Sequence, residues 1–278
     1  MAIVTVETTR DHSENPAINT KPAWLAIGKQ FCNYPEVLTL GVRPSFGDYE
    51  PWERELLLSG RKIYFPTRRF IDVFRCHDIP TYPNWRYYRY IGHKFRQTHL
   101  FQATGIPHPR TKFYWGKTRR AAITTDFSFP FVAKIGKGSS QGKGVYFIRD
   151  QADLDAYCEA NRQAYIQEYI PVKRSARVIL LNGHIINSYW IEARDGSFWT
   201  NVHQGGDISD EPVPEKILRL ARVVAAKCGF DEVGLDIIQN DDREYVLEAN
   251  MVFGTKGLEK AGINLREVRY EMLLKGLL

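Results

Sequence analysis

Two apolar segments near the C-terminal end, VGLDIIQ and YVLEAN, each carry one acid within a largely hydrophobic run, Asp236 in the first and Glu248 in the second. Their composition and alternation predict two strands, joined by a short loop through Asp241, Asp242 and Arg243. Pairing Asn240 with Glu244 across that loop sets Asp236 opposite Glu248, and Asn250, two residues on, shares their face. Two facing carboxylates repel each other, and burying them beside an amide is costly unless positive charge compensates. A divalent cation does so. Oxygen-only ligation suits magnesium, which keeps several waters and shares its remaining positions with nucleotide phosphates. The plain alternative is the solvent-facing side of an edge hairpin.

A second group lies in FPFVAKIGKGSSQGKGVYFI, which reads as strand, glycine-rich loop, strand. Backbone amides around Gly136, Gly138, Ser139, Ser140, Gln141, Gly142 and Gly144 can approach phosphate oxygens without side-chain obstruction. Lys134 at the end of the strand and Lys143 in the loop supply positive charge. The pattern is not a Walker loop, because no Gly-Lys-Ser/Thr opens a helix, and it is not a dinucleotide fingerprint. A glycine-rich hairpin tip without a ligand accounts for it equally well when the loop is viewed alone.

The elements that must position these groups follow from periodicity. From Leu38, apolar runs (LTLGV, KIYFP) alternate with helical stretches (WERELLLSG, RFIDVFRCHD), which predicts a small α/β unit. A longer helix is expected over residues 90 to 104, stopped by Gly105 and Pro107. Asp150 is placed to cap a helix through QADLDAYCEA, and AYIQEYI follows as a strand. ARVILLNGHIINSYWIEA predicts a hairpin turning at Asn182-Gly183. A helix from Glu215 to Cys228 presents Ile217, Leu220, Ala221, Val224 and Cys228 on one face. The division expected is a flexible tail over 1–22, a small N-terminal α/β domain over 23–89, and a larger domain over 90–278. The larger domain is expected to comprise a glycine-rich-loop subdomain at about 110–170 and a metal-binding subdomain at about 171–278.

Composition narrows the classes. In 278 residues, 44% are hydrophobic and 25% charged, which indicates neither disorder nor a fibrous state. No run approaches the roughly 20 apolar residues of a membrane span, and the start lacks a basic region followed by an apolar run, so a cytoplasmic location without membrane contact is expected. Cys32, Cys76, Cys158 and Cys228 have no paired spacing, which disfavours a disulfide framework and a zinc site. The net charge of +6 favours anionic partners. Its basic residues interleave with aromatics in NWRYYRYIGHKFRQ, a pattern that suits nucleic acid but more often marks a solvated surface, and nucleic acid is not expected.

In this order the elements resemble the ATP-grasp enzymes, and within them the RimK-like glutamate ligases. The resemblance runs from about Tyr90 to Asn264 and is densest at FVAKIGKGSSQGKGV, IQEYI, WTNVHQGG, and VGLDII with LEAN. It implies an α/β (α+β) ATP-grasp fold, with the nucleotide held between two α+β subdomains and a small α/β domain before them. It further implies an ATP-dependent carboxylate-amine ligase working through an acyl phosphate, with ATP and magnesium, or manganese, as cofactors. The acceptor amine would belong to an amino acid, a peptide or a protein tail, and whether chains pair is left open.

Residue by residue, Lys94 resembles the first phosphate-contacting lysine and Lys134 the second. The loop from Gly138 to Gly144, with Ser139, Ser140, Gln141, Gly142 and Lys143, matches the phosphate cover. Gln167, Glu168, Tyr169 and Ile170 match the strand at the adenine edge, while Asp236, Glu248 and Asn250 match the magnesium ligands. Asn201 stands at a phosphate or metal contact, and Arg177 at the cation beside the transferred phosphoryl group. His203 is left off this set, because a single loop histidine is more often structural. The chain departs from the family pattern at Ser175, usually acidic, at Trp199, usually basic, and over Met251 to Gly254, usually a small-Ser-Pro-Gly run. These departures surround the acyl and acceptor sites, so nucleotide chemistry is read more firmly than the substrates. The rival readings are a small-molecule kinase using the same cleft and an inactive nucleotide-binding module that recruits a partner.

Overall fold

Short β-branched and aromatic runs separated by helices build the first sheet. In the computed structural model, which describes residues 23–116, 118–137, 144–193 and 206–278, β1 (Trp24–Ala26), β2 (Val37–Thr39), β3 (Ile63–Tyr64) and β4 (Thr81–Tyr82) pair in the order β2-β1-β3-β4, all parallel. Parallel neighbours require crossover connections. Helices α1 (Pro51–Leu57) and α2 (Thr67–Cys76) lie in these connections, and Leu57, Phe70 and Phe74 pack against Leu25, Ile27 and Ile63.

The helix expected over residues 90 to 104 starts later, and a separate short helix precedes it. Helix α3 (Trp85–Tyr90) is capped by Asn84, whose side chain accepts from the Arg86 amide at 2.8 Å. Gly92 then turns the chain at φ 58°, and α4 (Lys94–Thr104) begins, ending at left-handed Gly105. The aromatics here are largely packed inward: Tyr88 is buried, and Trp85 lies under the guanidinium groups of Arg75 and Arg86 at 4.1 and 4.8 Å.

The second sheet is antiparallel, in the order β5-β8-β6-β7, and is made of β5 (Thr111–Tyr114), β6 (Phe131–Lys134), β7 (Val145–Ile148) and β8 (Ala164–Glu168). Helices α5 (Arg119–Asp126) and α6 (Gln151–Ala160) cover one face, with Ile123, Leu154 and Tyr157 against Phe131, Ala133, Ala164 and Ile166. Alternation turns Lys134, Tyr165 and Gln167 to the other face. Asp150 caps α6, accepting from the Asp153 amide at 3.0 Å.

The third sheet is antiparallel in the order β11-β10-β9-β12-β13, formed by β9 (Arg174–Leu181), β10 (His184–Glu192), β11 (Asp207–Ser209), β12 (Glu232–Asn240) and β13 (Arg243–Asn250). Asn182 and Gly183 turn the first hairpin with φ 43° and 81°, the positive pair that a tight two-residue turn requires. Helix α7 (Glu215–Cys228) buries Ile217, Ala221, Val224 and Cys228 on Ala176, Val178, Leu235 and Ile237. That leaves Arg177 and Asp236 on the opposite face. Helices α8 (Lys256–Lys260) and α9 (Leu265–Leu274) follow, and Met272 and Leu273 of α9 join the first sheet's core at Phe31, Tyr64 and Tyr82. No helix among the described residues is long and apolar enough to cross a membrane.

Candidate functional site

The hairpin of β12 and β13 brings its acids together by a different route from the one its loop suggests. The turn has two residues, Asp241 and Asp242, so Asn240 pairs with Arg243 and Gln239 with Glu244, one residue out of the expected register. Continued unbroken, that ladder sets Leu247 opposite Asp236 and turns Glu248 to the buried face. A bulge between the Asp236 and Ile237 pairings takes up one extra residue, and Asp236 stands opposite Glu248 after all. A bulge re-aims the side chains next to it, and here it re-aims a carboxylate.

Across the neighbouring strand, Asp236 also pairs with Arg177, and Arg177 with Tyr189 on β10. One row therefore runs Tyr189, Arg177, Asp236, Glu248 across four strands. The Arg177 guanidinium grips Asp236 with Nε on Oδ1 at 2.5 Å and Nη2 on Oδ2 at 3.0 Å. Asn250 donates its Nδ2 to Asp236 Oδ2 at 3.0 Å, which leaves its amide oxygen for another partner. Burial raises the Asp236 pKa above the ordinary carboxylate value, against the pull of Arg177. Burial opposes the charge on Arg177, but the neighbouring Asp236 outweighs it and raises the arginine's pKa.

Helix α4 brings the first cation. Gln97 docks both amide atoms on Ala249 of the edge strand, Nε2 donating to its carbonyl at 2.7 Å and Oε1 accepting from its amide at 3.2 Å. One turn earlier on the same helix face, the buried Lys94 ammonium meets Glu248 Oε1 at 2.8 Å. The second sheet brings the second cation. Lys134 is buried, with its ammonium 5.7 Å from the centre of the Tyr165 ring. Burial lowers its pKa to about 8, opposed by Glu248 and reinforced by Lys94. The Tyr165 hydroxyl, 2.8 Å from Thr98 Oγ1, is pushed up to about 12 by burial.

The end of β8 is fixed by the chain before β5. Gln167 donates to Thr111 Oγ1 at 2.9 Å, Glu168 accepts from the Arg110 amide at 2.6 Å, and the Glu168 amide donates to the Arg110 carbonyl at 2.9 Å. Tyr169 and Ile170 lie past the last strand residue, with the Tyr169 ring edge-on to Phe147 at 4.9 Å. Gly144 adopts φ 78° and its amide-linked carbonyl accepts from Ile135 at 2.6 Å, which closes the base of the glycine-rich segment. Gly138, Ser139, Ser140, Gln141, Gly142, Lys143, Trp199, Asn201 and His203 lie outside the described residues.

The structure thus gathers Lys94, Lys134, Arg177, Asp236, Glu248 and Asn250 from two sheets and one helix. Among the described residues no group of three His, Cys, Asp or Glu side chains is placed to hold a metal, and the oxygen donors gathered here are the Asp236 and Glu248 carboxylates and the Asn250 amide. Two carboxylates and an amide are hard oxygen donors that fit magnesium. Gln97 was missed in the sequence. Its spacing from Lys94 is legible as a shared helix face, but its partner is a strand backbone 152 residues away.

Comparison with solved structures shows that the fold is similar to that of ATP-grasp proteins. A RimK domain ATP-grasp protein of Sphaerobacter thermophilus superposes with a TM-score of 0.63 at 14% identity, covering 87% of this chain and 96% of that one. D-alanine–D-alanine ligase of Bacillus anthracis, solved with ATP, gives 0.64 at 13%, covering 91% and 96%. The model of the RimK-like ATP-grasp domain matches residues 92–272, and the chain belongs to that family. A probable alpha-L-glutamate ligase of Legionella pneumophila (strain Corby) is 30% identical over 184 residues, 62% of this chain and 59% of that protein. Beta-citrylglutamate synthase B of Danio rerio is 30% identical over 166 residues, 56% of this chain and 41% of that protein. The chain therefore spans about 59% of the length of the first of these curated relatives.

Proposed function

We propose that the chain is an ATP-dependent carboxylate-amine ligase. A carboxylate oxygen of the acid attacks the γ-phosphorus of ATP, ADP leaves, and the amine nitrogen then attacks the carbonyl carbon of the acyl phosphate. Phosphate departs and the amine proton passes to solvent. The observation that carries this reading is the convergence of Arg177, Asp236, Glu248 and Asn250 on one face of the third sheet with two further cations, Lys94 of α4 and Lys134 of the second sheet.

Lys94 and Lys134 neutralise phosphate charge as it moves toward ADP, and Arg177 holds Asp236 while adding positive charge beside the transferred group. Asp236, Glu248 and Asn250 would hold magnesium, which offsets the charge of the phosphate oxygens when bound. The backbone from Gln167 to Ile170 takes the adenine edge, and the segment from Gly138 to Gly144, with Asn201, completes the phosphate contacts. In this reading the first sheet belongs to the N-terminal domain, and the second and third sheets to the two halves of the nucleotide cleft. The names of the relatives support glutamate as the amino acid joined.

The test is an incubation with ATP, magnesium, glutamate and a panel of carboxylic acids, peptides and amines, followed by mass spectrometry. ADP formed together with an amide product is expected. A phosphorylated small molecule without an amide would make the protein a kinase, and ATP binding without ADP would make it a recruiting module.

A further inference from the structure

The base of the glycine-rich segment is fastened to α4 at three points. The Lys94 amide donates to the Gly136 carbonyl at 2.8 Å, and His93 forms an antiparallel bridge with Lys137. The third is the Phe95 ring. A Cβ added to Gly136 would lie 1.9, 2.3 and 2.5 Å from three of its carbons. Gly136 does not adopt a positive φ, so it is glycine for space and not for backbone freedom.

Phe95 cannot readily retreat. Its ring is packed edge-on to Phe113 at 4.8 Å, against Tyr165 at 5.8 Å and along Trp115 at 6.2 Å. Tyr165 in turn lies beneath the Lys134 ammonium. Phe95 therefore neighbours both lysines, Lys94 in the chain and Lys134 through Tyr165.

We infer that Phe95 and Gly136 form a matched ring-and-socket pair that sets Lys94 and Lys134 at their working distance from Asp236 and Glu248, which makes Phe95 a positioning residue. The inference rests on the nucleotide reading above. A methyl group 1.9 Å from a ring carbon overlaps it, so an alanine at 136 must displace the half-buried ring or the end of β6 by about 1 Å. A misplacement of that size at charged groups is enough to cost roughly 100-fold.

Calorimetric titration with MgATP tests this, because it needs no knowledge of the acid or amine. Gly136→Ala is expected to weaken Kd by roughly 100-fold with an unchanged number of sites per folded chain, and Phe95→Ala with Gly136→Ala to recover at least about 10-fold of that. A merely structural pair would instead lower the number of sites and leave Kd alone. Should Gly136→Ala fail to fold, Phe95→Ala by itself is expected to weaken Kd by about 10-fold with its melting temperature held. Wild-type affinity in Gly136→Ala or in that single variant, or a double variant no better than Gly136→Ala, overturns the inference. A wild-type protein that ignores MgATP removes the nucleotide reading and the inference with it, whereas binding unaffected by these changes removes the inference alone.

Discussion

Strand β12 carries two arginine-bound acids four residues apart on one face, and only one of them belongs to the candidate site. Glu232 is gripped by Arg269 through both guanidinium arms, with Nε at 3.2 Å from Oε2. It accepts from the Tyr82 hydroxyl at 3.3 Å, and its side chain is 1% exposed. These partners come from the first sheet and from α9, so the carboxylate is the joint at which they meet the third. Asp236 has the same bidentate arginine but is 18% exposed, and a second acid, Glu248, stands directly opposite.

The difference lies in what surrounds each pair. Around Glu232 one negative charge meets one positive charge inside a closed contact. Around Asp236 two acids meet Arg177, Lys94 and Lys134, an excess of one cation, and both acids keep part of their side chains exposed. A closed pair holds elements together. An open set with surplus positive charge can exchange its internal contacts for those of an anionic ligand and its metal.

Neutralising one acid in each set sharpens the contrast. Glu248→Gln keeps the shape but removes a charge from the proposed metal set and breaks the Lys94 pair. Turnover is expected to fall by about 10³-fold or more, corresponding to several kcal/mol of lost charge stabilisation, with the circular dichroism spectrum retained. Activity within tenfold of wild type would take Glu248 out of the metal set. Glu232→Gln removes one partner of a buried pair and leaves Arg269 without its counter-charge. A loss of about 3 kcal/mol in unfolding free energy is expected in a urea titration, with turnover per folded molecule near wild type. An inactive but fully stable Glu232→Gln protein would abolish the distinction between the two pairs.

The Asp236 half of this contrast was legible in the sequence, and the limits have physical causes. The acids, the amide and Lys134 could be named because an acid in VGLDIIQ or a lysine closing FVAK violates the strand's hydrophobic pattern, whereas Lys94 was named only through the resemblance to the ATP-grasp enzymes. The hairpin register was not legible. Asp241 adopts φ 52° and makes a two-residue turn, and the bulge that restores the Asp236 and Glu248 pairing has no local signature. The helix expected from residue 90 starts at Lys94, because Gly92 breaks it and His93 bridges to Lys137. Partnerships between distant segments escaped most completely. Gln97 on Ala249, Phe95 on Gly136 and Arg269 on Glu232 are set by packing, and periodicity along one chain segment carries no record of what lies against it.

The smallest expected effect asks whether Arg177 acts through its charge or its shape. Lysine at 177 preserves the charge beside Asp236, but a single ammonium cannot make the parallel contacts from Nε and Nη2 that now fix both carboxylate oxygens. Asp236 would keep its counter-ion and lose its orientation. The contact from Asn250 to Asp236 Oδ2 reports the consequence, because a freed carboxylate rotates away from that amide. Arg177→Lys is therefore expected to lower kcat by about 10-fold and to raise the magnesium concentration needed for half-maximal rate, with KM for the acid little changed. Arg177→Met, which removes the charge as well, should lie well below it. If both variants fall equally, the fork geometry alone is what Arg177 contributes. If lysine restores full activity, its contribution is charge, and the orienting role assigned to the bidentate contact fails.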